Sequence, residues 1–155
     1  PFDSTTLAHN WIWSITEDRH GDLWIGTFQG LCRYIRKENR FVQYFHQLND
    51  SSTLSGNRTN VVLRDKQDRI WISAWGSGLN LYDEETNTFK QFLPSLTDST
   101  QLPDPAIRTL HCDKEGTIWI GLWNGGLCQV VEDRGHFSFK QIPDVTSLLL
   151  FCFHS

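Results

Sequence analysis

Asp18-Arg19-His20-Gly21-Asp22-Leu23-Trp24-Ile25-Gly26-Thr27-Phe28-Gln29-Gly30-Leu31-Cys32-Arg33-Tyr34 returns twice more along the chain, and the fold follows from its return. Trp24-Ile25-Gly26, Trp71-Ile72-Ser73 and Trp119-Ile120-Gly121 stand 47 and 48 residues apart. Six residues before each Trp is an Asp (Asp18, Asp65, Asp113), and three before it a turn former (Gly21, Asp68, Gly116). Seven or eight residues after it stands a Leu preceded by Gly: Gly30-Leu31, Gly78-Leu79 and Gly126-Leu127. Some ten residues further a Phe follows: Phe41, Phe89 or Phe137. Self-similarity at a fixed period of this size marks a repeat architecture.

Each copy reads as four short strands. The first covers Trp11–Glu17, Thr59–Arg64 or Ala106–Cys112. An Asp-x-x-Gly turn follows, where Asp bonds nearby backbone and the third residue accepts positive φ. The second strand, Leu23–Thr27, Ile70–Ala74 or Ile118–Leu122, is apolar on both faces, as a strand covered above and below must be. A glycine-containing hairpin leads to the third strand, and a charged turn leads to the fourth. Four strands in 45–50 residues is the spacing of a β-propeller blade, and helical periodicity is not sustained anywhere. We therefore expect an all-β fold, a partial β-propeller of three four-stranded blades at about 8–48, 56–94 and 104–143. Val145-Thr146-Ser147-Leu148 reads as the start of a fourth blade. Phe151 then stands where the repeat calls for Asp, so 149–155 forms a non-repeat tail. Trp24, Trp71 and Trp119, each beside a small residue on the same strand face, are expected to pack between blades.

Composition narrows the function. A formal charge of −4 argues against a binder of phosphate backbones, so no nucleic acid is expected. The longest apolar run, Leu148 to Phe153, is far short of the roughly 20 residues that cross a bilayer, so no membrane contact is expected of this segment. An initial Pro and the lack of Met read as a piece of a longer protein, with its remaining blades as partners.

Asp18–Tyr34 with its two further copies, and Ser52-Thr53-Leu54-Ser55-Gly56-Asn57 echoed by Thr6-Leu7-Ala8-His9-Asn10, resemble the two-component regulator propeller repeat over residues 1–148. The sequence departs from the pattern in a hairpin one residue shorter in the first copy and in Ser73 at a glycine position. The resemblance implies a sensor on the periplasmic or extracytoplasmic side of a bacterial membrane-anchored signalling protein, of hybrid histidine kinase or diguanylate cyclase type. It further implies an oligosaccharide ligand and leaves room for a homodimer formed through the parent protein. No catalytic residue carries over, because kinase motifs are not in this sequence. The alternative is a protein-interaction scaffold whose rim binds a polypeptide. A propeller enzyme would need a converging, non-repeating set of carboxylates or His and Tyr.

Individual residues support no cofactor, metal or catalytic assignment. Cys32, Cys112, Cys128 and Cys152 contain no Cys-x-x-Cys, and six scattered histidines form no zinc spacing. Cys32 and Cys128 hold equivalent positions two blades apart, about 20 Å, where a disulfide needs Cα atoms within about 7 Å. Asp18, Asp65 and Asp113 recur with the turn and read as structural, together with Gly21, Gly30, Gly78, Gly116 and Gly126. The second-to-third-strand hairpins differ from copy to copy: Phe28-Gln29, Trp75-Gly76-Ser77 and Trp123-Asn124-Gly125. Aromatics beside Asn, Gln and Ser offer a stacking face with hydrogen bonds alongside, which suits sugar rings. This gives Phe28, Gln29, Trp75, Ser77, Trp123 and Asn124 as candidate ligand contacts. The alternative is that Trp75 and Trp123 only cap the blade interface.

Overall fold

The computed structural model describes residues 6–143. They form three antiparallel four-stranded sheets and no α-helix. The first holds β1 (Ile12–Glu17), β2 (Leu23–Thr27), β3 (Gly30–Ile35) and β4 (Arg40–Tyr44), with a 3-10 turn at Arg36–Glu38. The second holds β5 (Thr59–Arg64), β6 (Ile70–Ala74), β7 (Gly78–Asp83) and β8 (Thr88–Phe92). The third holds β9 (Ile107–Cys112), β10 (Ile118–Leu122), β11 (Gly126–Asp133) and β12 (His136–Gln141). Strands are hydrogen-bonded in chain order within each sheet, and the first strands β1, β5 and β9 lie nearest one another across sheets. This is an open run of propeller blades with its first strands innermost. The expected fourth-blade start at 145–148 and the tail 149–155 lie outside the described residues.

Two apolar layers hold the blades together. Trp24 projects from β2 toward the second blade, stacking on Tyr44 of its own blade at 5.6 Å and meeting Tyr82 of the second at 4.6 Å. Val62, Ile70, Ile72 and Phe89 fill the rest of that layer. One repeat later Trp71 meets Phe92 at 5.8 Å in its own blade and Phe137 at 5.5 Å in the third. Trp24 and Trp71 are 1% and 0% exposed; Trp119 is half-buried on a face of the third blade that no described residue covers. Each polar linker between blades drops one leucine into a layer, Leu54 or Leu102, both fully buried.

Gly26, two places after Trp24, serves close approach. A Cβ at Gly26 would lie 2.6 Å from the Thr59 carbonyl of the next blade. At the same contact the Thr59 hydroxyl donates to the Gly30 carbonyl at 2.7 Å and accepts the Thr27 N–H at 2.9 Å. Buried polar groups in the seam are thereby paired, as burial requires.

The recurring Asp does two jobs. One oxygen of Asp65 accepts the backbone N–H groups of Gln67 and Arg69, both at 2.9 Å, closing the β5–β6 turn. The other accepts the Trp71 indole N–H at 2.8 Å. Asp18 repeats this with Trp24 at 2.9 Å, and Asp113 with Trp119 at 2.7 Å. Burial alone would raise the Asp18 carboxyl, but the Trp24 indole, the N–H groups of Asp22 and His20, and the Arg33 charge hold it below its ordinary value. The Trp119 indole does the same for Asp113.

Candidate functional site

The two rims of the blade run differ in chemistry. One carries the first-to-second and third-to-fourth strand turns. A cavity of about 490 Å³ opens there between the first two blades, lined by His20, Arg33, Arg69 and Glu84 among others. Its arginines are already paired. Arg33 lies 3.1 Å from both Asp18 and Asp22, and Arg69 bridges Asp65 at 2.6 Å and Glu132 of the third blade at 2.7 Å. Glu84 binds Arg19 at 2.5 Å and His20 at 2.7 Å across the first seam. Here the hollow is a clamp between blades.

The opposite rim carries the second-to-third-strand hairpins, and aromatic faces gather on it. Phe28 at the first hairpin meets Trp11 at 5.4 Å, Trp13 at 5.5 Å and His9 at 5.5 Å. Trp75 and Trp123, from the second and third hairpins, meet edge to face at 5.5 Å. The groups join through Arg58, whose guanidinium lies 4.9 Å over the Phe28 ring and whose carbonyl accepts the Trp75 N–H at 2.8 Å. Arg108 lies 4.8 Å over the Trp123 ring. Trp11, Trp13 and Trp123 stay 64%, 44% and 52% exposed, unusual for so large an apolar side chain.

A β-bulge explains part of the grouping. The pairing of first and second strands slips by one residue at the same place in every blade, at Trp13, Asn60 and Arg108. A bulge leaves one residue out of the ladder and re-aims its side chain. The bulged Trp13 meets Phe28, and the bulged Arg108 covers Trp123. In the middle blade the bulged Asn60 is tied inward, accepting the Ser73 hydroxyl at 2.7 Å and donating to the Ile107 carbonyl at 2.8 Å.

The sequence-derived candidates divide accordingly. Trp75 and Trp123 come together, and Phe28 joins an aromatic group of its own. Gln29 and Asn124 are exposed at hairpin tips. Ser77 faces the linker, where a Cβ at Gly56 would lie 2.5 Å from its hydroxyl, so its side chain packs against the scaffold. Sequence reasoning missed His9, Trp11, Trp13, Arg58 and Arg108. Trp11 and Trp13, the tryptophans left outside the repeat, were the available signal. Cys32, Cys112 and Cys128 are free thiols, and burial pushes Cys128 up to about 11. Among the described residues no three His, Cys, Asp or Glu side chains gather as a metal site.

Blades of this form, with a turn Asp bonded to an interior Trp, define a class: a propeller built from one repeat, stacked through its second-strand tryptophans. Residues 6–29 and 101–124 match the two component regulator propeller family. The extracellular domain of a B. thetaiotaomicron protein assigned as a hybrid two component system superposes with a TM-score of 0.77 at 26% identity. That match covers 88% of this chain and 19% of the other. A second such extracellular domain from B. thetaiotaomicron gives 0.65 at 24% identity, covering 85% of this chain and 19% of the other, which speaks to fold alone. So does virginiamycin B lyase from Staphylococcus aureus, with a TM-score of 0.61 at 14% identity over 91% of this chain and 44% of that one. The chain thus spans about a fifth of the two extracellular domains. No curated protein matches it.

Proposed function

We propose that these blades belong to a ligand-sensing propeller on the extracytoplasmic side of a bacterial membrane-anchored signalling protein of the hybrid histidine kinase type. In this reading the aromatic rim takes an oligosaccharide. The blades bind, and the catalytic output belongs to other parts of the parent protein. Support comes from the family repeat and from the extracellular-domain relatives.

The observation that carries the ligand reading is the exposed aromatic rim, with Trp13 on a bulge, Trp123 on a hairpin and Trp11 just before β1 of a rigid scaffold. Loops on a fixed scaffold are where such folds carry function. Flat aromatic faces suit the apolar faces of pyranose rings, and the exposed Gln29 and Asn124 supply hydrogen bonds beside them. Titration calorimetry of the intact protein against a glycan panel tests this. Trp75→Ala and Trp123→Ala, with folding checked by circular dichroism, are expected to weaken the bound glycan at least about tenfold, the loss of one stacking contact of roughly 1.4 kcal/mol. Unchanged affinity in both folded variants would remove the proposal.

A further inference from the structure

We propose that the sugar-stacking subsite of this rim lies on Trp75, and that Asn60 opens it by turning away from the rim. The inference rests on the rim being a glycan site and adds which indole takes the ring and which residues keep it accessible. In every blade the hairpin aromatic stands in the same backbone frame. The N–H groups of Phe28, Trp75 and Trp123 donate to carbonyls two residues before the bulge, those of Trp11, Arg58 and Ala106, at 3.0, 2.8 and 2.8 Å. The bulged residue therefore starts from the same place beside each aromatic. In the first and third blades its side chain caps that aromatic: Trp13 meets Phe28 at 5.5 Å, and the Arg108 guanidinium lies 4.8 Å over Trp123. In the middle blade Asn60 reaches to the third blade instead. Among the described residues the ring that meets the half-buried Trp75 is that of Trp123, 5.5 Å away with its plane turned by 75°. The two indoles form a corner, and its open side is the position that Asn60 leaves.

One departure in the repeat accounts for the difference. The residue after each bulge pairs with Gly26, Ser73 or Gly121 on the second strand. A glycine there has no side chain with which to hold the bulged residue. Ser73 has one, and its hydroxyl donates to the Asn60 Oδ1 at 2.7 Å. The Asn60 Nδ2 donates to the Ile107 carbonyl of the third blade at 2.8 Å. Both ends of the amide are thus used, which fixes its direction. Ser73 is fully buried, so its hydroxyl needs this acceptor. The link runs from β6 through the β5 bulge to β9, joining the second seam while clearing the rim above it. A face that is open in the free protein takes a pyranose ring without displacing a side chain, which keeps the cost of binding low.

Exchanging residues between blades tests this. Asn60→Arg with Ser73→Gly gives the middle blade the pairing of the third, and Asn60→Trp with Ser73→Gly that of the first. Asn60→Ala breaks the link but puts no cap over Trp75. Oligosaccharides from β-glucan, xylan, mannan and arabinan are titrated calorimetrically into the intact protein and each variant, with folding checked by urea unfolding. Asn60→Ala is expected to keep the wild-type affinity for a bound oligosaccharide within about threefold, and both capping pairs to lose at least about tenfold. On the wild-type protein, nuclear Overhauser contacts should run from the bound oligosaccharide to the Trp75 ring, a measurement that stands even where a capping pair folds poorly. Folded capping pairs that bind like wild type overturn the proposal. So does an Asn60→Ala variant that loses as much as they do, since Asn60 would then act through the seam. Overhauser contacts confined to Trp11, Trp13 and Phe28 overturn it too, and leave the glycan rim standing. No binding of any of these oligosaccharides by the wild-type protein overturns the glycan rim and this inference together.

Discussion

The Asp65 carboxylate and the Trp71 indole N–H, six residues apart, meet at 2.8 Å in the interior, and the same pair recurs in each of the three blades. A buried indole needs an acceptor, and a tight turn needs something to collect its N–H groups. One Asp supplies both, so the packing knob is tied to the turn beneath it. Asp65→Ala should cost about 2–4 kcal/mol in urea unfolding, because the Trp71 indole and two turn N–H groups lose their acceptor while Arg69 keeps Glu132. Trp71→Phe keeps most of the volume and should cost about 1–3 kcal/mol. A double-mutant cycle should return a coupling of about 1–2 kcal/mol; additivity within about 0.5 kcal/mol would show that the two act separately.

The Asp18 carboxyl titrates below its ordinary value in the folded protein, held there against burial by Trp24, two backbone N–H groups and Arg33. The sign of the pH dependence follows. A group with a depressed folded value contributes its full stabilisation above the unfolded value, about 3.9, and loses it as pH falls further. Stability from this source should be level from about pH 5 to 7 and decline below about pH 4. Asp18→Asn should be less stable than wild type near neutrality, with the gap narrowing as the acid limb is entered. Urea midpoints across pH 3–7 provide the comparison, and a gap that stays constant or widens toward pH 3 would contradict it.

The first seam depends on the hydroxyl of Thr59 and on the bare α-carbon of Gly26. Thr59→Val preserves shape but leaves the buried Thr27 N–H without its acceptor, at an expected cost of about 1–3 kcal/mol. Thr59→Ser should cost under about 1 kcal/mol because the hydroxyl remains. Gly26→Ala places a methyl 2.6 Å from the Thr59 carbonyl and should cost about 1–3 kcal/mol by forcing the blades apart. Thermal unfolding of the three variants checks the order, and a valine variant as stable as the serine one would break it.

Repetition made the scaffold legible. Because Leu23–Thr27, Ile70–Ala74 and Ile118–Leu122 align without gaps, each strand was read three times, and all three are strands with those bounds. The fixed offset from Asp to Trp was equally visible, but its cause was not. A six-residue spacing suggests a turn, and only the turn's geometry brings the second carboxylate oxygen under the indole. The rim was legible in part. Trp75 and Trp123 stood out as hairpin aromatics, and Phe28 at the matching place. Arg58, Arg108 and Trp13 could not be read in this way, since they lie on or beside the first strands where the copies differ. Their convergence depends on a one-residue bulge that no periodicity encodes.

The central claim is that the tryptophans serve two purposes. Trp24 and Trp71 bind carboxylates inside the stack, Trp119 does so on the outer face of the third blade, and Trp11, Trp13, Trp75 and Trp123 line a rim open to ligand. The seven indole N–H resonances of ¹⁵N-labelled protein, followed while members of the glycan panel are added in turn, test it most directly. The account predicts that the rim resonances shift on binding, Trp75 and Trp123 foremost, while the three carboxylate-bound indoles stay in place and exchange slowly with solvent. Shifts confined to Trp24, Trp71 and Trp119, or binding that moves none of the rim indoles, would contradict it.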